Sequence, residues 1–331
     1  MTTDVVKAIV TGGDYPDFDT WITARKGDIR GSGRDTNEIG EVYGLSNPGS
    51  LFLTSADWLT DDTHKVIVRA APGEECGGVF STMKAHISGT VGEIRTIRVY
   101  GVNCVIGPGL SIEETAACSN NSFCVLGSGV APGDGRVIID GCIFRGGSYS
   151  PDVFAALDIS EGIYTIKNCV IFCQSTGTAA DEDCGICSND AVVDILNSVI
   201  VAHNSDASSF GIINFGGSTI NTQNDYIDGD VAYGEGYDPI AKGLNDATSD
   251  GSALTPALRL IPRDGTVFVD PSYAGMNFRL VAGSPLIDKG ATLAGVPVDF
   301  VGTHRPQGVA YDIGAHERLS AGGHLLLVMG L

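Results

Sequence analysis

The chain has 331 residues, of which 45 are glycine, 43% are apolar and only 18% are charged. Such a composition excludes a disordered chain and describes an ordered, turn-rich protein with a substantial core. Forty acidic against twenty basic residues give a formal charge of −20, which repels nucleic acid and anionic membrane surfaces and makes neither an expected partner.

In chain order, the opening MTTDVVKAIVTGG carries one lysine and no apolar stretch of signal-peptide length, so classical export is not expected. It reads as a strand ending in a glycine turn at 11–13. Phe18, Trp21 and Ile22 then fall on one face of a short helix, predicted to plug the open end of a stack of strands. Neither TGG at 11–13 nor GSG at 31–33 has the strand, glycine spacing and helix of a nucleotide loop. The segment HKVIVRAAPGEE reads as an early strand at 66–68 and a turn at Pro72-Gly73. Residues 1–65 are thus expected to form a cap and the first strands.

From there a short phrase recurs: VYGVNCVIG, IIDGCIFRG, TIKNCVIFC, DILNSVIVA and NTQNDYIDG. Taking the small residues Cys104, Cys142, Cys169, Ser198 and Asp225 as markers, the intervals are 38, 27, 29 and 27 residues. A second apolar phrase precedes the marker in each later unit, beginning at Phe123, Phe154, Cys184 and Phe210. Two short β-branched strands per unit cannot bury an apolar face alone, so the units must stack. Parallel stacking of equivalent strands, rising roughly 4.8 Å per turn, predicts an all-β fold: a right-handed parallel β-helix with a short N-terminal helical cap. Asn103, Asn168, Asn197 and Asn224, with Gly141 substituting once, sit where a sharp corner needs a left-handed backbone. After the corner, Cys104, Cys142 and Cys169 are expected to point inward as core, with Ile106, Phe144 and Ile171 stacked beside them. The rungs are placed at 66–260.

The nine cysteines cannot all pair within the chain. Disulfides are expected at Cys118–Cys124 and at Cys173–Cys184. The spacings Cys169-x3-Cys173 and Cys184-x2-Cys187 are those of a zinc site, but at least three of these positions fall in strand slots of the repeat, so no metal is expected there.

Residues 268–317, FVDPSYAGMNFRLVAGSPLIDKG and then DFVGTHRPQGVAYDIGAHE, resemble the C-terminal signature of pectate-lyase-like parallel β-helix proteins. The opening TGGDYPDFDTW and the later DDTHKVIVRAAPG resemble β-helix proteins encoded by tailed phages. These resemblances imply a folded-back closing segment at 261–318 and a place among virion parts, commonly homo-oligomers such as trimers. They imply shape more than activity. Beyond the signature, an apolar tail at 319–331, with Leu325-Leu326-Leu327-Val328-Met329, is expected to be a docking segment.

An enzyme on this fold would need paired carboxylates, or a base beside an acidic calcium cradle. The candidates are Asp158, Asp181, Glu182, Asp183 and Asp190, and the bases Arg136, Arg145 and Lys167. The acidic group reads as a solvated loop, with calcium the one cofactor left open, and none of the bases sits in an acidic cluster. His304 and His316 read as hydrogen-bonded structural residues. Tyr100, Tyr164 and Tyr226 are sparse for an outer sugar platform. No catalytic, cofactor-binding or metal site is therefore assigned. The sequence reading is a non-enzymatic structural and adhesive protein on a virion surface, partnered by other virion or surface proteins and by cell-surface polysaccharide. A polysaccharide lyase or glycoside hydrolase, or an extracellular or cell-surface carbohydrate-binding protein, are the alternatives.

Overall fold

The computed structural model describes residues 2–31, 33–45, 47–89, 95–113, 123–127, 135–148, 154–175, 183–204, 208–234 and 240–319. Among them, a 13-stranded and a 7-stranded sheet, both parallel throughout, wind into a right-handed β-helix. The two 14-residue strands Phe154–Lys167 and Asp183–Leu196 bend from one face to the next. Their bends fall at Glu161-Gly162, with φ of 49° and 94°, and at Asp190, with φ of 54°. The larger sheet therefore supplies two faces of a three-sided prism and the smaller sheet the third. The sequence reading of two strands per unit missed a face because phrases such as TIKNCVIFC run across the corner at Asn168 and join strands of two faces.

On the third face, Ile87, Ile112, Phe144, Ile171, Ile200 and Ile227 stand in register in successive turns, and each is buried. Burial of each such side chain contributes roughly 1.5–3 kcal/mol. The expected column through Cys104 and Ile106 is corrected by the register. Cys104 pairs with Val137 and Ile106 with Ile139, on a different face from Cys142. The position equivalent to Cys142 one turn earlier is Leu110, beside the corner Gly109, whose N–H donates to the Gly141 carbonyl at 2.8 Å. Contrary to expectation Asn103 is not left-handed: it lies two residues past another corner, at Gly101 with φ of 61°, and its Oδ1 accepts the Arg136 N–H at 2.7 Å. At both corners an inward small residue and an apolar pair come next, which is why the phrases look alike. Cys142 and Cys169 do face inward, fully buried, and burial pushes the Cys169 thiol up to about 12.

The N-terminal end is closed by the helix Phe18–Arg25, whose N-cap Asp17 accepts the Thr20 N–H at 2.8 Å. Phe18, Trp21 and Ile22 are buried beneath it, and Trp21 packs on Trp58 with ring centroids 5.9 Å apart. Arg25, in its last turn, reaches the fully buried Glu38 with two hydrogen bonds of 2.9 and 2.7 Å. Glu38 follows Val5 in the inward column that continues through Val66, Cys104, Val137 and Tyr164. The helix thus neutralises the acid aimed into the open end.

The segment 256–318 folds back along the outside of the third face. Phe268, Phe278, Leu286 and Ile313 pack with Ile143, Val170, Phe172 and Val199 in a second apolar cluster. This explains runs such as Val199-Ile200-Val201 that do not alternate, since their strands are buried on both sides. Tyr226 is fully buried under this layer and donates to the Ile261 carbonyl at 3.1 Å. Tyr164 points into the prism. Of the three tyrosines named as a sugar platform, only Tyr100 is partly exposed.

Cys184 is bonded to Cys187, not to Cys173, which is in no disulfide and is buried in the main core. The pair lies in a small separate cluster with Ala155 and Ile213, apart from Cys169 and Cys173. The four cysteines of zinc-like spacing therefore do not converge. Cys118 lies outside the described residues, as does the side chain of Cys124.

Candidate functional site

The corner between the second and third faces is a column of left-handed residues: Gly109, Gly141, Asn168, Asn197 and Asn224, with φ of 86°, 61°, 53°, 48° and 60°. Asparagine tolerates this conformation and its amide has two donors and an acceptor to spare. The closing segment uses them. Asn224 donates to the Ala291 carbonyl at 2.8 Å and accepts the Ala291 N–H at 2.7 Å. Asn197 donates to the Asp312 carbonyl and Asn168 to the Val298 carbonyl, each at 3.1 Å. Asn224 also bonds Asn197 in the turn before it, at 3.3 Å. The asparagine corners are therefore a rail that holds the segment.

A buried network locks it there. The side chains of Arg305 and Glu317, 0% and 1% exposed, pair at 3.1 Å. Arg305 also donates to the carbonyls of Asp312 and Gly314, at 3.2 and 3.0 Å, and to Asn168 Oδ1 at 3.4 Å. Glu317 accepts the N–H groups of Gln307 and Asp312. Asp299 accepts those of Val301, Thr303 and Glu317. Burial raises Asp312 to about 6. The polar residues of the C-terminal signature are thus consumed in fastening it.

Where the corners are glycine, no side chain reaches out, and the segment arches away as the turn 298–302. Beneath it is a groove of about 570 Å³. Its floor is Pro108-Gly109 and Asp140-Gly141, one wall is the turn 298–302, and the other is Glu75 and Gly77. Gly77 is held by Arg279, which donates to its carbonyl at 2.6 Å. Asp140, 31% exposed, pairs with Lys167 at 3.2 Å and accepts the Asn168 amide at 3.2 Å. Glu75 is exposed at the rim.

The residues named from sequence are not gathered here. Arg145 pairs with Glu113 and lies 3.7 Å from the Phe80 ring centroid. Lys167 is engaged by Asp140, and Arg136 by Asp62 at 3.7 Å. Each candidate base is thus tied to its own carboxylate. Asp158 neighbours Cys187 in the next turn, Asp183 is buried at a strand start, Asp190 forms an exposed corner, and Asp181 and Glu182 lie outside the described residues. Among the described residues no three His, Cys, Asp or Glu converge as a metal site. His304 is exposed. His316 is buried against Phe300, with ring centroids 5.4 Å apart. Contrary to expectation, its ring nitrogens have no hydrogen-bond partner of normal geometry among the described residues, and burial holds it at about 3, neutral.

No family model and no curated protein matches the chain. Among solved structures, the crystal structure of pectate lyase Pel9A aligns over 96% of this chain and 96% of that one, at 11% identity and a TM-score of 0.24. A superposition at that level carries no argument about activity, and the fold assignment rests on the strand pairing itself.

Proposed function

We propose that the protein is an architectural and adhesive element, a stiff β-helix displayed on a larger assembly, of the kind found as a virion decoration, collar, fibre or spike. The observation that carries this reading is the sheathed prism. A continuous parallel ladder is plugged by its own helix at one end and clamped along one corner by its own closing segment, with the polar signature residues used as fasteners. Every turn is bonded to its neighbours and one face is buried on both sides, so bending or opening the shaft would break many contacts at once.

Attachment is assigned to the apolar tail, which lies beyond residue 319 and outside the described residues. Five consecutive apolar residues after Gly322-Gly323 are costly to leave in water and suit strand addition to a neighbouring subunit. Light scattering on the full chain is expected to give a defined oligomer, and removal of residues 319–331 to give monomers with an unchanged circular dichroism spectrum. An oligomer that survives the truncation would place the contact elsewhere. A monomer in both cases would remove the self-assembly part of the proposal.

A further inference from the structure

At Asn168, Asn197 and Asn224 the corner side chain fills the space between prism and closing segment and bonds across it. At Gly141 a Cβ would lie 3.2 Å from Pro108 Cβ and 3.7 Å from the Phe300 carbonyl oxygen, closer to Pro108 than side chains normally approach, so this corner carries no side chain and the groove lies beside it. Its volume, about 570 Å³, lies in the range of small-ligand sites, roughly 300–1,000 Å³.

The lining defines the chemistry of an occupant. Pro108 and Val298 offer apolar surface, and Asp140 and Glu75 offer carboxylate oxygens, which only accept hydrogen bonds. The cation nearest the floor, Lys167, is engaged by Asp140 and by the Gly295 carbonyl at 3.4 Å. A ligand must therefore bring donors and an apolar face, and must not bring negative charge into an acidic groove on a chain of net charge −20. A neutral sugar ring has that character, with C–H groups on its faces and hydroxyl donors at its edge. A uronate does not.

We propose that this groove binds a neutral hexose or N-acetylhexosamine unit of a surface glycan. The proposal rests on the adhesive reading above and gives it a site and a ligand class.

The test uses the full chain with a panel of neutral hexose and N-acetylhexosamine oligosaccharides, and an oligogalacturonate as anionic control, with binding read by calorimetry or ligand-observed NMR. Gly141→Asn fills the floor with the residue that three sister corners already carry, at a φ it tolerates. It is expected to weaken neutral-glycan binding at least tenfold while leaving the oligomer mass unchanged, with a somewhat lower unfolding midpoint because its Cβ crowds Pro108. Glu75→Gln, a change at the exposed rim, keeps the groove open and is expected to weaken binding severalfold. Preferential binding of the oligogalacturonate, or neutral-glycan binding that neither substitution alters, would overturn the assignment. A chain that forms its oligomer yet binds no neutral glycan would overturn this site and leave the architectural reading standing.

Discussion

Arg305→Leu is expected to destabilise the protein by about 3–5 kcal/mol, because it strands the carboxylate of Glu317 in a buried site without its cation. Glu317 would still accept the N–H groups of Gln307 and Asp312, but two amide donors do not replace a guanidinium. The carbonyls of Asp312 and Gly314 would lose a donor as well. The closing segment should therefore loosen before the prism unfolds, exposing Phe268, Phe278 and Leu286. Denaturant titration monitored by both tryptophan fluorescence and far-ultraviolet circular dichroism checks this. Trp21 and Trp58 are buried at the N-terminal cap, so a transition seen by dichroism but not by fluorescence is the expected sign of an early-releasing segment. The double change Arg305→Leu with Glu317→Leu should recover a large part of the loss, since no unpaired charge then remains buried. Recovery of nothing would show that the carbonyl contacts of Arg305, not its charge, hold the segment.

Asn224→Ala is expected to cost about 3 kcal/mol from two separable sources. Alanine at φ near +60° carries a strain of roughly 1–2 kcal/mol, and loss of the paired bonds to Ala291 leaves a buried N–H and carbonyl short of partners, about 1–2 kcal/mol more. Asn224→Gly isolates the second part, because glycine adopts the corner without strain. The ordering wild type, then Gly, then Ala in unfolding free energy is the expected result. Equal losses for Gly and Ala would mean that the rail acts through its amides alone.

The repeat was legible because corner chemistry is local. A left-handed residue, then a small inward side chain and an apolar pair, is a pattern that any sharp turn into a strand imposes, and Cys142, Cys169, Ser198 and Asp225 display it at near-constant spacing. The same locality misled at Asn103-Cys104, which lies just past another corner of the prism, at Gly101, and shows the same small inward residue and apolar pair. The third face was hidden because phrases such as TIKNCVIFC run across the Asn168 corner and join two faces, although the bends at Glu161 and Asp190 carry the turn-type triads Ser160-Glu161-Gly162 and Ser188-Asn189-Asp190.

Non-local features were the least legible. That Val170-Ile171-Phe172 is buried on both sides depends on a segment about a hundred residues further along the chain, and that Arg305 meets Glu317 depends on the fold of that segment. The groove has almost no sequence signal, being made of glycines and backbone. Its one trace is Gly109 and Gly141 standing where the later turns of the column carry asparagine. As a residue that merely tolerates the corner, Gly141 looks equivalent to its neighbours, and the missing amide becomes informative once a partner for the other amides is seen.

The proposed role of this β-helix as a scaffold and not a catalyst is tested by prolonged incubation of the purified chain, with and without calcium, against a panel of acidic and neutral polysaccharides, read by size-exclusion chromatography and assay of new chain ends. No shortening of any polymer is expected under either condition. Shortening of one polysaccharide, lost in Asp158→Asn or Asp183→Asn variants that remain folded, would contradict it and make the protein a lyase or hydrolase.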